Sequence, residues 1–471
     1  MDRVFLPPRC RTWTKDGWHI YFDPHNFVVV RVNDSGRLLL EMLRKYMLLS
    51  EIALTVSNKF GLPLERAQTA VQAFAQGLIR AGFLHQNAYS ERSRSEFPEV
   101  GFPYDIYIHL TNKCNLQCPY CYNKTDRETK IKLEKGGLVA PTMSTDEFKH
   151  LITRLVENGV RRILFTGGEP LLRPDAMQLV AFSRERSDER VRDGGTAVNL
   201  EMLTNGTLIK PDVAEKMCQL LNTVTISLDG HEAHLHEDQR GQRTFEPTVR
   251  GVRTLVAKKK ELGANRPRVC MVPALTAKNI IWMKEIFEYC LDDLKADMLA
   301  PIIFQAGDHQ QVSLNQVPEL KVFLQEQTRT NQFLEERNAR LGTPPPKTPS
   351  PLIPRHHCGV GNHEISVDPG GFVYPCQSLH FNEFICGNVR ETDIKEIYDE
   401  SPVMKRMRGT TVETLSVCSH CDFKYLCNGG CRATAYNVYR EFDHHNEIYC
   451  KMFETTSVAK LWAAAENQVS A

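Results

Sequence analysis

The chain has no uninterrupted apolar run of about 18 residues, the length a membrane-spanning helix needs, so no membrane partner is expected. Its first residues, MDRVFLPPRC, lack the basic-then-apolar plan of a secretory signal, which points to a cytoplasmic protein. It also lacks net charge: 58 Lys and Arg stand against 57 Asp and Glu, leaving +1, which argues against a nucleic-acid footprint spread over the whole protein. At 471 residues it is too long for one core, and two or three domains are expected. Cysteine is abundant. Fifteen thiols in a reducing compartment read as metal ligands rather than disulfides.

Residues 1–95 read as a separate domain: strand-like runs at 18–22 (WHIYF) and 27–32 (FVVVRV), then helical patterns. In the last of these Val71, Phe74, Leu78 and Ile79 share one helical face behind Pro63. A hairpin followed by helices suggests a winged helix, with the polar stretch 86–94 (QNAYSERSR) as a linker. Over 102–307 strand and helix alternate, with strands expected at 106–110, 163–166, 200–204, 224–228, 269–273 and 298–304. Six such strands imply a parallel, right-handed α/β sheet, either doubly wound or an open barrel. Residues 308–354 read as a helical, then proline-rich linker, ending in TPPPKTPSPLIP. The last region, 355–471, holds eight of the fifteen cysteines.

Cys114, Cys118 and Cys121 have the spacing C-x3-C-x2-C and follow the alternating run DIYIHLT at 105–111. They are therefore expected in the loop at a strand's carboxyl end, where α/β sheets build their sites. Three thiolates leave one metal position open, whereas four close a site. A zinc loop completed by a distant residue is the bland alternative, although structural zinc knuckles usually use C-x2-C pairs. Downstream, successive strand ends carry GGEP (167–170), TNG (204–206) and SLDG (227–230), followed by Arg240. Singly, Asn205, Ser227 and Asp229 are turn or cap residues and Arg240 a surface charge. Behind the triplet they read together as a ligand site.

This ordered set resembles the core of radical S-adenosylmethionine (SAM) enzymes, which implies a partial (β/α)6 barrel of the TIM type over 102–307. By that resemblance the triplet holds a [4Fe-4S] cluster whose open iron is chelated by SAM. Gly167, Gly168, Glu169 and Pro170 would bind the SAM amino group. Asn205 would lie beside the nucleoside, Ser227 and Arg240 would hold the carboxylate, and Tyr120 would pack near the adenine. The implied reaction is reductive cleavage of SAM to a 5'-deoxyadenosyl radical that takes a hydrogen atom from an unactivated carbon. The cofactor performs that chemistry, and no catalytic side chain is implied.

Cys358, Cys376, Cys418, Cys421, Cys427, Cys431 and Cys450 are spaced C-x12-G-x4-C, gap, C-x2-C-x5-C-x3-C, gap, C. Gly370 and Gly371 suit a hairpin turn, and Gly429 and Gly430 a bend between ligands. The pattern resembles in full the signature of SPASM domains, which hold auxiliary iron-sulfur clusters. The resemblance implies one cluster on Cys418, Cys421, Cys427 and Cys450 and a second on Cys358, Cys376 and Cys431, hence three [4Fe-4S] clusters in all. The second set is one ligand short, since 351–357 holds no cysteine. Cys386, His356 or His357 could fill it, or substrate, or nothing; a buried packing thiol is the first reading of Cys386, as of Cys10, Cys218, Cys270 and Cys290. A zinc-stabilised domain is the alternative, which metal analysis would separate.

The first 90 residues hold eleven Lys and Arg against seven Asp and Glu, a charge of +4. Such a unit could bind DNA, or an acidic peptide by β-augmentation, or merely be solvated. Its pattern is similar to the leader-peptide recognition element (RRE, PqqD-like) of ribosomally synthesised peptide pathways. Joined to the radical SAM and SPASM patterns, it implies a maturase that cross-links a precursor peptide, by a thioether or a carbon-carbon bond, with a flavodoxin or ferredoxin as reductant and no nucleic-acid partner. Formylglycine formation is the alternative within the class, and a zinc-stabilised winged-helix DNA-binding protein the alternative outside it.

Overall fold

The computed structural model describes residues 2–86, 88–89, 101–121, 123, 141–304, 316–342 and 352–467. The expected linker at 86–94 and the proline-rich spacer at 343–354 fall largely outside these residues.

The chain opens with strands β1 (Arg11–Lys15), β2 (Trp18–Asp23) and β3 (Val28–Asn33), then helices α1 (Asp34–Arg44), α2 (Leu49–Phe60) and α3 (Leu64–Arg80). The hairpin read from the sequence is thus a three-stranded antiparallel sheet with β1 at one edge. That strand was missed because RTWTK is mostly exposed and carries no apolar alternation. The unbroken apolar run of β3 has a different cause: both faces of the sheet are covered. Tyr21, Val28, Val30 and Val32 face the three helices, with Val71, Ala75 and Leu78 of α3. Ile20, Phe22 and Val29 face the other way, onto Leu461 and Ala465 of the final helix, Glu447–Asn467, and onto Phe423. Arg11 pairs with Asp422 at 2.5 Å on the same side. The N-terminal unit is therefore joined to the cysteine-rich region rather than standing apart.

The central strands are β4 (Asp105–His109), β5 (Arg162–Thr166), β6 (Asn199–Thr204), β7 (Thr223–Ser227), β8 (Arg268–Val272), β9 (Ala274–Leu275), β10 (Met298–Leu299) and β11 (Ile302–Ile303). From β4 to β8 the parallel strands are neighbours in chain order, and β10 follows β8. Right-handed crossovers between strands that never reverse order put every helix on one face, so the sheet is singly wound like a barrel rather than doubly wound. Alternation then divides the side chains. Ile106, Ile108, Ile163, Phe165, Leu200 and Met202 enter the core under the helices, while Tyr107, His109, Arg162, Thr166 and Glu201 take the opposite, polar face. The last expected strand is broken: Met298–Leu299 pairs with β8 and Ile302–Ile303 with β9, because Pro301 between them cannot donate to the ladder.

The cysteine-rich region continues this sheet. Strands β12 (Glu364–Val367), β13 (Phe372–Tyr374) and β14 (Gly387–Asn388) extend it to nine strands, β12 running parallel to β4. Gly371 turns the chain between β12 and β13 with φ +88, where a Cβ would stand 2.8 Å from Asn388 Oδ1. Ion pairs Arg154–Asp393 (2.6 Å) and Arg390–Glu147 (2.5 Å) fasten the same region to the first barrel helix, Thr145–Glu157.

Candidate active site

The triplet leaves β4 through Thr111 and lies across the carboxyl ends of the neighbouring strands. Its position is set by backbone contact with the GGEP turn: Gly168 N–H donates to Thr111 O (2.7 Å) and Glu169 N–H to Lys113 O (2.8 Å). Only glycine allows this approach. A Cβ on Gly167, whose φ is +136, would stand 2.3 Å from Thr111 O, and one on Gly168 would stand 2.1 Å from Lys113 O.

Glu169 is wholly buried. One carboxylate oxygen accepts from Thr204 Oγ1 (2.7 Å) and Leu171 N–H (3.1 Å), the other from Asn205 N–H (2.8 Å). It therefore ties the end of β5 to the end of β6 and caps the turn Pro170–Leu172, in which Pro170 is buried. Burial nevertheless raises its acid to about 7 against these three bonds. Both of its oxygens are thus engaged by donors of the fold. Asn205 reaches the triplet loop, its side-chain amide donating to Asn115 Oδ1 at 2.9 Å while its own oxygen accepts from Thr207.

On the other side of the triplet, Asp229 is a fully buried hub. It accepts from Arg240 Nε (2.6 Å) and the second Arg240 nitrogen (3.2 Å), from Ala274 N–H (2.8 Å), and from the Tyr120 hydroxyl. Its own N–H donates to His236 Nδ1 at 3.2 Å, and burial holds that imidazole down at about 4, neutral with its proton on the other nitrogen. The Arg240 guanidinium lies 5.7 Å from the Tyr120 ring centre, and Phe304 meets Tyr120 edge-on at 6.0 Å. Ser227 ends β7, half-buried and paired with Val272. Tyr120, Arg240, Asn205 and the GGEP turn thus gather around the triplet. Asp229, read from the sequence as one member of a strand-end ligand set, orients two of them, Tyr120 and Arg240.

The thiols form three sets of electrostatic neighbours. Cys121 feels Cys118 and Cys114; Cys376 feels Cys431 and Cys358; Cys427 feels Cys418, Cys450 and Cys421. In the triplet, burial pushes Cys114 up to about 11 and Cys121 up to about 12, so a metal must displace their protons to bind. None of the fifteen cysteines is in a disulfide. Among the described residues no three His, Cys, Asp or Glu side chains converge as ligands of one metal ion. Cluster ligands each hold a different iron and stand further apart, so three neighbouring sets of thiols fit iron-sulfur clusters by the chemistry of their donors.

The structure thus joins a parallel α/β sheet, with a three-thiol loop at its carboxyl edge, to a cysteine-rich extension. Residues 108–266 match the model of the Radical SAM superfamily, and residues 358–422 that of SPASM, an iron-sulfur cluster-binding domain. The chain is 27% identical over 361 residues to the AdoMet-dependent heme synthase of Nitratidesulfovibrio vulgaris, covering 71% of this chain and 88% of that protein. It is 28% identical over 369 residues to the PqqA peptide cyclase of Bradyrhizobium diazoefficiens (74% and 86% covered), and 25% over 343 residues to the mycofactocin maturase MftC of Mycobacterium tuberculosis (71% and 79%). Among solved structures, anSMEcpe with bound AdoMet is similar with a TM-score of 0.60 at 19% identity, over 78% of this chain and 100% of that one. SuiB of Streptococcus suis bound to precursor peptide SuiA is similar with a TM-score of 0.57 at 14% identity, over 96% of this chain and 100% of that one. No helix among the described residues is long and apolar enough to cross a membrane.

Proposed function

We propose that this protein is a maturase that modifies a ribosomally synthesised precursor peptide by SAM radical chemistry, capturing the peptide's leader on its N-terminal unit. The observation that carries this reading is the N-terminal β-sheet-and-helix unit seated on the cysteine-rich region, within a fold whose likeness to SuiB extends over 96% of the chain. Sequence likeness alone does not choose, because a heme synthase and two peptide-modifying proteins match to similar extents. β1 and β3 are the edges of the N-terminal sheet, and an extended leader would add to one of them as a further strand. We read the unit as a peptide binder rather than a DNA-binding winged helix, since its +4 charge is modest and its second sheet face is occupied.

Cys114, Cys118 and Cys121 would hold the SAM-binding cluster; Cys418, Cys421, Cys427 and Cys450 one auxiliary cluster; and Cys358, Cys376 and Cys431 another. The chemistry such a cluster would supply, with SAM bound, is one electron for reductive cleavage of the sulfonium and so the removal of a substrate hydrogen atom. The chain's own part is positioning. The backbone of Gly167 and Gly168 would meet the SAM ammonium, with Glu169 and Pro170 holding the turn that presents it. Arg240, held by Asp229, would meet the carboxylate with its remaining nitrogen, beside Ser227. Tyr120 would lie by the adenine, and Asn205 by the nucleoside. A flavodoxin or ferredoxin would supply the electron, in the cytoplasm, and a thioether or carbon-carbon cross-link is the product.

The test uses the full chain, because deleting the N-terminal unit would bare Phe423, Leu461 and Ala465 beside Cys421. A short peptide encoded beside the gene is incubated anaerobically with SAM, reductant and enzyme, with and without its leader, and weighed by mass spectrometry. Loss of two hydrogens from the full precursor, at least tenfold slower without the leader, is expected. Equal rates on both forms would remove leader capture. An aldehyde trapped by a hydrazide reagent, the mark of formylglycine, which when formed from Ser is also a loss of two hydrogens, or no peptide change with heme formed instead, would overturn cross-linking.

A further inference from the structure

Cys358, Cys376 and Cys431 meet in one small core, with Val360, Tyr374 and Phe384 among its other members. Three thiolates leave one iron of a four-iron cluster without a protein ligand. Two of the candidates read from the sequence are directed elsewhere. Cys386 packs into the barrel core instead, its thiol 3.5 Å from Phe384 O and its nearest polar neighbours Ser401 and Arg408. The His357 ring accepts from Gly359 N–H at 3.0 Å through Nδ1 and lies between His356 (4.8 Å) and His363 (5.7 Å).

Glu364 is directed into the thiol set. It is the first residue of β12, which pairs antiparallel with β13 in the register Ser366↔Tyr374 and Val367↔Val373. Two residues further along, that register sets Glu364 opposite Cys376, on the same face of the sheet. Strand register thus sets the Glu364 carboxylate beside the Cys376 thiol, and the two are electrostatic neighbours. The Glu364 backbone pairs with the segment that carries Cys358, its N–H 3.4 Å from Gly359 O and bridged to Val360. One glutamate therefore touches both segments that deliver thiols. Arg162, a cation whose charge acts on Glu364, is divided between Asp105 (3.5 Å) and Glu201 (3.3 Å). A buried carboxylate with only a shared cation nearby is costly in the metal-free protein and becomes favourable when it ligates a metal.

We propose that Glu364 is the fourth ligand of the cluster on Cys358, Cys376 and Cys431, so that this auxiliary cluster is closed by a carboxylate. The proposal rests on reading that thiol set as a four-iron site. Its consequence is functional: a closed cluster passes electrons and offers no iron to a substrate thiol.

The test is made in the full chain with Cys114, Cys118 and Cys121 changed to Ala, so that only auxiliary clusters contribute. Iron content and electron paramagnetic resonance are followed after anaerobic reconstitution and mild oxidation, with Glu364 intact and as E364Q and E364C. With Glu364 intact, about eight irons per chain and no three-iron signal on oxidation are expected. E364Q should lose about one iron per chain and develop a three-iron signal. E364C should retain the full count with a changed spectrum, which shows that the loss in E364Q is one of ligation rather than folding. An E364Q protein with unchanged iron and spectrum overturns the ligand. If the chain with Glu364 intact holds no more than about four irons, the four-iron reading of the thiol set itself is overturned.

Discussion

Replacing Glu169 by Gln tests whether the GGEP carboxylate serves the fold in the way its contacts indicate. Glu169 is fully buried and accepts three hydrogen bonds, yet burial lifts its acid from an ordinary 4.5 to about 7. Because the folded value lies above the unfolded one, the folded state holds the proton more tightly. Stability from this group is fully present below pH 4.5 and declines as pH rises to about 7. Between pH 5.5 and 8 the wild-type protein should lose about 2 kcal/mol from Glu169 alone, at about 1.4 kcal/mol per pH unit up to the folded value. Gln does not titrate, and its amide hydrogens must face a donor that the carboxylate satisfied, costing about 1–3 kcal/mol at any pH. Unfolding midpoints of wild type and E169Q are compared at both pH values, so that contributions from other groups cancel. The wild-type advantage should shrink by about 2 kcal/mol from pH 5.5 to 8. A gap independent of pH would refute the argument.

Three further outcomes are expected. Gly168→Ala drives a Cβ into the Lys113 carbonyl, 2.1 Å away, next to Cys114; the variant should lose about four irons per chain and SAM cleavage while keeping auxiliary-cluster absorbance, and normal iron content would contradict the close-approach argument. Asp229→Ala strands the Arg240 guanidinium, whose side chain is only 12% exposed, and should destabilise the barrel by about 3–5 kcal/mol and abolish SAM binding by calorimetry; an unchanged denaturation midpoint would contradict the hub. Phe22→Ala opens the seam between the N-terminal sheet and the final helix at about 3–5 kcal/mol, whereas Arg11→Ala, on an exposed ion pair, should stay within about 1 kcal/mol; similar effects from both would mean that apolar contact does not hold the seam.

Ligand spacing and strand alternation are local properties, and both are legible in the chain. The triplet after DIYIHLT, the seven later cysteines and the positions of the parallel strands follow from residue type and period, because thiolate chemistry and the two-residue pleat act over a few positions. Contacts between distant segments are not legible in this way. RTWTK carries no period of its own and becomes a strand only because WHIYFD lies beside it. FVVVRV reads as apolar, but only the fold divides it between helices α1–α3 and a helix more than 400 residues away. Asp229 and Glu169 are legible as polar residues at strand ends, but only folding buries them, when an unpaired carboxylate would cost several kcal/mol and each must gather the donors around it. Glu364 lies opposite Cys376 through strand register alone. The sequence by itself determined which side chains can hold metal and where the parallel strands lie along the chain. Which carboxylates are buried, and which segments face each other across the seam, was decided by tertiary structure, because burial and long-range pairing depend on every segment at once.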